Sequence, residues 1–302
     1  MRIGIDLGGT KTEIAAFDAA GAELLRQRAP TPVGDYAATL ALIARLINHA
    51  EQTLGATATA TIGIATPGAL SPSTGLMRNS NSTCLNQQPL ALDLQRTLGR
   101  AVRLANDANC FALSEAVDGA AAGAASVFGV IIGTGVGGGI VIHGKVLDGP
   151  NAITGEWGHN PLPWPADDER PGAVCYCGQH GCIETFLSGP GLARDYVAHG
   201  GSAINVTISA EDIVARSSVE PLAQQALARY EHRLARALAS IINVLDPEVI
   251  VLGGGLSNIE RLYKNIPALW GKWVFSDVVR TRLVRNRHGD SSGVRGAAWL
   301  WG

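Results

Sequence analysis

Charge is scarce in this 302-residue chain: Asp, Glu, Lys and Arg make up 17% of it, against about 25% in an average globular domain. With 46% hydrophobic residues, the composition excludes the disordered class, which is poor in apolar residues and rich in net charge. A basic excess is also missing. Lys and Arg number 24 against 26 Asp and Glu, a formal charge of -2, so no long-range field draws a nucleic-acid backbone. The amino terminus lacks an unbroken apolar run, since Asp6 interrupts it after Ile5, and export is not expected. The uncharged stretch 119–142 has the length of a membrane span but carries eight glycines, which weaken a lone helix. It reads as buried strands around a glycine turn. Five cysteines are an odd number for a disulfide framework, and three of them, Cys175, Cys177 and Cys182, fall within eight residues. That clustering points to a metal in a reducing cytoplasm. No low-complexity linker divides the chain, and its length suits one large or two linked domains.

What is present is an alternation of short strands and helices. Residues 2–7, 13–17 and 23–28 are apolar or β-branched runs separated by turn residues and predict an antiparallel meander. The helical spacing of Tyr36, Leu40, Ile43 and Ile47, followed by Gly55, predicts a helix over 35–54. Strands are expected over 59–65 and 101–105, the latter meeting a helix over 108–117 at Asn106-Asp107. Strands over 127–132 and 139–142 enclose a second glycine turn and repeat the opening pattern, which suggests a duplicated α/β unit. Residues 160–174, rich in Pro and acidic residues, should form an exposed loop. A long helix follows over 221–245 with Pro at its first turn, then a strand over 249–252 and a closing helix over 294–301.

Three glycine turns follow strands: Gly8-Gly9-Thr10-Lys11-Thr12, Gly133-Thr134-Gly135-Val136-Gly137 and Gly253-Gly254-Gly255. Glycine lets backbone amides approach an anion without Cβ obstruction and a threonine hydroxyl adds a donor, so phosphate is the natural guest. The first turn lacks the Gly-Lys pair of a P-loop. Residues 133–138 match G-x-G-x-x-G, but that dinucleotide fingerprint must open a helix, and here Ile140-Val141-Ile142 continues as strand. A single such turn equally suits an ordinary hairpin; three together favour phosphate. Asp6 is placed to hold Mg²⁺ through water and Lys11 to meet a phosphate, or both simply solvate a turn.

His159, Cys175, Cys177 and Cys182 offer one imidazole and three thiolates, the donor set of a closed tetrahedral zinc site. Three sulfur ligands leave no open coordination position, so this zinc is expected to brace a loop rather than activate water. Cys84 and Cys110 read as core residues.

Five motifs now coincide in order: residues 6–12, Asn106-Asp107-Ala108-Asn109, residues 133–137, Gly155-Glu156-Trp157-Gly158-His159, and the segment 175–184 ending in Glu184. Together they resemble the ROK family of bacterial sugar kinases over the whole chain. Residues 79–86, 115–123 and 288–296 look most like the bacterial fructokinases, also called mannofructokinases. The resemblance implies an α/β, actin-like (ribonuclease-H-like, duplicated) fold of two lobes with ATP and sugar in the cleft between them. The small lobe would span 1–117 with the closing helix 292–302 returning to it, and the large lobe 118–291 would contain the zinc loop. Some members are repressors with an added helix-turn-helix; the first phosphate turn starts at residue 8, which leaves no room for one before it. Gly138 stands where the family often has alanine, a change expected to loosen the turn.

By the same resemblance Asp107 is the catalytic base, and a carboxylate suits the task of taking a hydroxyl proton as the γ-phosphoryl moves. An Asp in that position otherwise suits a helix N-cap. Asn81, Asn106, Asp107, Glu156, His159 and Glu184 match sugar-binding positions. Asp6, Gly8, Gly9, Thr10, Lys11, Thr12, Gly133, Thr134, Gly135, Val136, Gly137, Gly254 and Gly255 match the ATP site. His159 would bind zinc through one ring nitrogen and present the other to the sugar. The implied activity is ATP- and Mg²⁺-dependent phosphorylation of the 6-hydroxyl of D-fructose by a cytoplasmic homodimer. The alternatives are another hexokinase of the family, acting on glucose, mannose or N-acetylglucosamine, or a non-catalytic sugar sensor.

Overall fold

The computed structural model describes residues 1–56, 59–202, 208–289 and 292–302. The chain opens as the expected meander, β1 (Arg2–Leu7), β2 (Lys11–Phe17) and β3 (Glu23–Pro30), then forms α1 (Tyr36–Leu54). Helix α1 starts where the Asp35 side chain accepts from the Ala38 amide and stops at Gly55, whose φ of 66° is left-handed. Strand β4 (Thr61–Thr66), a small hairpin of β5 (Ala69–Leu70) and β6 (Met77–Arg78), α2 (Leu90–Leu98), β7 (Arg103–Asn106) and α3 (Asp107–Val117) follow. The sheet runs β3-β2-β1-β4-β7, with β1, β4 and β7 parallel. Both its faces are covered. On one, Ile3, Ile5, Ile62 and Ile64 pack with Leu42, Ile43, Leu46 and Ile47 of α1. On the other lies α9 (Ser292–Ala298), whose Val294 and Ala298 pack with Ala15 and Phe17. Strands β1 and β4 pass so close under α9 that a Cβ at Gly4 would sit 1.9 Å from the Val294 oxygen, and one at Gly63 1.8 Å from that of Ala297. Glycine at these two places lets the helix backbone rest directly on the sheet.

The second sheet repeats this order as β10-β9-β8-β11-β12. Strands β8 (Ser126–Ile132), β9 (Val136–Ile142) and β10 (Lys145–Val146) stand in the order of the opening meander, and β11 (Val249–Gly253) and β12 (Arg282–Arg285) are parallel to β8 and to each other in turn. Helices α4 (Ile183–Leu187), α5 (Gly189–Ala198), α6 (Ala210–Arg216), α7 (Pro221–Leu245) and α8 (Arg261–Trp270) complete this half. The stretch 160–174, expected as an exposed loop, is pinned at a 3-10 turn by Glu169. That buried carboxylate accepts from Arg233 Nε and Arg236 Nη2 of α7, each at 2.8 Å, while Asp195 of α5 accepts from Arg233 Nη1 at 2.7 Å. Buried guanidinium and carboxylate groups hold together only when paired in this way.

The chain divides into two compact units, residues 1–123, 139–154 and 287–302 in one and 124–138 and 155–286 in the other. Segment 139–154, expected in the larger lobe, belongs with the amino-terminal unit. Among the described residues no helix is long and apolar enough to cross a membrane.

Candidate active site and metal centre

In the first unit, the turn between β1 and β2 is closed by Gly8 N–H donating to the Lys11 oxygen at 3.0 Å. Thr31 fastens it from behind: its hydroxyl donates to the Gly8 oxygen at 2.8 Å and lies 2.8 Å from that of Thr12. Gly9, Thr10 and Lys11 are exposed, whereas Thr12 is fully buried. The geometry therefore makes Thr12 a support of the turn and leaves its outer face to Gly9, Thr10 and Lys11. Asn81 is exposed and lines a cavity of about 380 Å³ with Leu7, Gly9 and Thr10.

The junction of β7 and α3 separates two neighbouring polar residues by role. Asn106 is the N-cap: its Oδ1 accepts from the Ala108 amide at 2.9 Å, and its Nδ2 donates to the Gly68 oxygen at 3.4 Å. Asp107 is the first helical residue, exposed, and also accepts from the Ala108 amide, at 2.8 Å. Its carboxylate is thus aimed by the helix start without being needed as the cap. Asp6 lies in its field. Burial pushes the Asp6 carboxyl up to about 7, Asp107 and Glu13 push the same way, and Lys11 pulls it back. The first turn of α9 helps bury it, since a Cβ at Gly293 would lie 2.7 Å from Asp6 Oδ2.

A raised Asp6 means the folded state binds more protons than the unfolded chain between about pH 4 and 7, so stability falls as pH rises through that window. Without added Mg²⁺ the loss expected by pH 8 is about 4 kcal/mol at most, taking about 1.4 kcal/mol per unit. Urea unfolding at pH 5 and pH 8 should show Asp6→Asn closing that gap relative to wild type; an equal gap in both proteins would refute the assignment.

The second unit holds the four residues expected to bind a metal. His159 ends a 3-10 turn over Trp157–His159, and Cys175, Cys177 and Cys182 come from a knuckle in which Gly178 and Gly181 take positive φ of 89° and 67°. Cys175 N–H donates to the Gln179 oxygen at 2.8 Å and Gly181 N–H to the Ala173 oxygen at 3.0 Å, folding the segment back on itself. The four donor atoms all lie within 4.8 Å of one another. Cys177 and Cys182 sulfurs are 3.6 Å apart, and Cys175 Sγ is 3.5 Å from His159 Nδ1. Two thiolates about 2.3 Å from a tetrahedral zinc stand about 3.8 Å apart, so these residues fit the ion. The neighbouring thiols differ in acidity. A hydrogen bond from the Gln179 backbone lowers Cys177, whereas burial and its cysteine neighbours push Cys182 up to about 12. A dication is what makes three adjacent thiolates stable.

His159 turns its other ring nitrogen, Nε2, to Tyr176 Oη at 2.9 Å, with the two rings edge to face. Sequence reasoning missed Tyr176; its one signal is its place between two ligands. Glu156 is exposed beside this turn. Glu184, expected at the sugar, accepts from the Val136 amide through Oε2 at 2.9 Å.

Gly133 and Thr134 of the second glycine turn and Gly255 of the third line one cavity of about 830 Å³, with Pro190 and Ala193 of α5 and Glu211 of α6. That volume suits a drug-sized ligand or cofactor. Gly135 precedes β9, whose first two residues are Val136 and Gly137, and none of the three lines this cavity. Gly254 is structural: its φ is 80°, and a Cβ there would sit 2.4 Å from the Ile132 oxygen. Gly138, expected to loosen the turn, lies within β9. A Cβ there would come to 3.0 Å from both Phe128 and Trp157, whose indole N–H donates to the Gly137 oxygen at 2.9 Å.

The repeated strand order and the two glycine-turn sheets define the α/β, actin-like class expected above. Within it the chain belongs to the ROK family, whose model matches residues 2–302. It is similar to an N-acetyl-D-glucosamine kinase of Vibrio cholerae, 40% identical with 99% of each chain covered. Among solved structures it is similar to a ROK hexokinase from Thermus thermophilus, with a TM-score of 0.86, 30% identity and 99% and 97% of the two chains covered. It is also similar to a ROK family glucokinase from Streptomyces griseus in complex with glucose and AMPPNP, with a TM-score of 0.74, 25% identity and 99% and 98% covered.

These relatives correct the fructose expectation, and the structure shows why the stretches behind it misled. Asn86 is occupied by Ser80, accepting from its amide and donating to its oxygen, both at 2.9 Å. Glu115 is fully buried and accepts from the amides of Ala120, Arg287 and His288 and from the Ser292 hydroxyl. Both side chains tie the framework together rather than read a sugar. Asp290 and Ser291 of the third stretch lie outside the described residues.

Proposed function

We propose that this protein is an ATP-dependent sugar kinase that transfers the γ-phosphoryl group to the primary hydroxyl of N-acetyl-D-glucosamine. The observation that carries this reading is the full-length, 40% identity to an N-acetyl-D-glucosamine kinase. The large cavity lined by Gly133, Thr134 and Gly255 supports a nucleotide there, with the exposed Thr134 offering its hydroxyl to a phosphate. In the first unit Asp107 suits the role of proton acceptor, with Asn106 beside it in sequence and Asn81 in the same unit, and in the second unit Glu156, His159 and Glu184 offer donors and acceptors of the kind that ring hydroxyls require. The Asp6 carboxylate suits Mg²⁺, which supplies charge neutralisation at the phosphates. His159, Cys175, Cys177 and Cys182 would hold the zinc, which would brace the His159 ring, and its Nε2, 2.9 Å from Tyr176 Oη, would be the nitrogen left for a sugar oxygen.

ADP release with MgATP, measured in parallel with N-acetylglucosamine, glucose, mannose and fructose on zinc-loaded protein, tests this. N-acetylglucosamine is expected to lead in kcat/KM by about 10-fold or more, the scale that one well-filled subsite gives. A lead for glucose or mannose would overturn the substrate and keep the kinase. No ADP release with any of the four would overturn the kinase in favour of a sugar sensor.

A further inference from the structure

Helix α4 stands between the metal knuckle and the second glycine turn, and both of its ends are fastened to that turn. At its start, Glu184 Oε2 accepts from the Val136 amide at 2.9 Å. Just past its end, Gly189 N–H donates to the Gly133 oxygen at 2.7 Å. The helix is rooted in the knuckle: the metal ligand Cys182 immediately precedes it and accepts from the Thr185 amide at 2.9 Å and the Thr185 hydroxyl at 2.7 Å. The turn between these two grips is closed by Gly133 N–H donating to the Gly135 oxygen at 3.0 Å, and its glycines leave it sensitive to the contacts around it. The two grips add such contacts from outside the turn.

Val136 is buried, and its amide meets a carboxylate. Such a charge-assisted bond is among the stronger ones a backbone donor can make, and losing it strands a buried N–H. The carboxylate also fits closely, since a Cβ at Gly135 would sit 2.8 Å from Glu184 Oε2. We infer that Glu184 is a positioning residue for the nucleotide: it holds the Val136 amide so that Gly133 and Thr134 face the large cavity. This goes beyond a contact with sugar, and it rests on the reading that the cavity takes a nucleotide. With Oε2 on the turn, the other carboxylate oxygen is left for a sugar hydroxyl. One side chain then serves both substrates, and binding of either orders the group that the other uses.

The experiment is calorimetric binding of Mg-AMPPNP to the zinc-loaded, full-length chain with no sugar present, where a sugar contact has no effect. Glu184→Ala is expected to weaken binding about 10-fold, the scale of one charge-assisted hydrogen bond. Glu184→Gln keeps a side-chain carbonyl for the Val136 amide and is expected to stay within about 3-fold of wild type. Gly135→Ala, which displaces the carboxylate without changing it, should reproduce the loss, with zinc stoichiometry unchanged in all three variants. Wild-type affinity in Glu184→Ala would overturn the positioning role while leaving the nucleotide site intact. Failure of the wild-type protein to bind Mg-AMPPNP would overturn the nucleotide reading itself. Should Glu184→Ala not fold, Glu184→Asp, whose shorter side chain withdraws the carboxylate from the Val136 amide, takes its place against Glu184→Gln.

Discussion

Asp107→Asn is expected to lower kcat about 1000-fold, within the range general-base catalysis contributes, while sugar affinity stays within about 3-fold of wild type. The structure makes this substitution unusually clean. The Asn side-chain carbonyl can still accept from the Ala108 amide, which Asp107 now does at 2.8 Å, and the cap of α3 belongs to Asn106 in any case. Folding should therefore be preserved, and what disappears is a carboxylate able to take a proton. A second readout follows from the electrostatics. Asp107 raises the Asp6 carboxyl, so its removal lets Asp6 titrate lower. The stability loss between pH 5 and pH 8 should then be smaller in Asp107→Asn than in wild type. Near-normal turnover would eliminate Asp107 as the base; an unchanged pH profile would show that the two carboxylates do not sense each other.

Much of this was legible in the sequence because the determinants are local. The apolar spacing in 36–54, Asp35 and Gly55 define α1 within a residue of its observed ends, and Pro221 marks the start of α7. That His159, Cys175, Cys177 and Cys182 cluster was legible for a similar reason: the three cysteines are close in sequence and chemically unusual, and the knuckle glycines permit the fold-back. The walls of the large cavity were not. Helix α5 begins Gly189-Pro190-Gly191, which reads as a turn, and α6 has only seven residues, too few for periodicity to stand out. Thr12 looked like a ligand because it continues a glycine-threonine motif, yet its position in β2 turns it inward to Thr31. Substrate identity fails for a deeper reason. Residues such as Glu115 and Asn86 are distinctive in sequence because the framework needs them, and framework residues do not report on which sugar is bound.

Removing the zinc should cost both stability and substrate affinity. An ion held by the cluster would tie His159 to Cys182 across about 24 residues, and cross-linking a loop of that size constrains the unfolded chain by about 3 kcal/mol. At about 3 °C per kcal/mol for a chain of this size, Cys177→Ala or treatment of the wild type with a strong chelator is expected to lower the unfolding midpoint by roughly 10 °C. Sugar affinity should fall about 10- to 100-fold, as happens when groups that orient a site are lost, because His159 is no longer held through Nδ1. The nucleotide should weaken as well. Cys182 anchors the start of α4, and the glycine turn is held by Glu184 of α4 and by Gly189 at the start of α5. Metal content, thermal unfolding and the two binding constants measured on the same samples separate these effects. Zinc retained at one per chain in Cys177→Ala, with unfolding and sugar binding unchanged, would refute the ligand assignment. Loss of zinc with sugar binding alone weakened would confine the knuckle to His159 and break the link to the glycine turn.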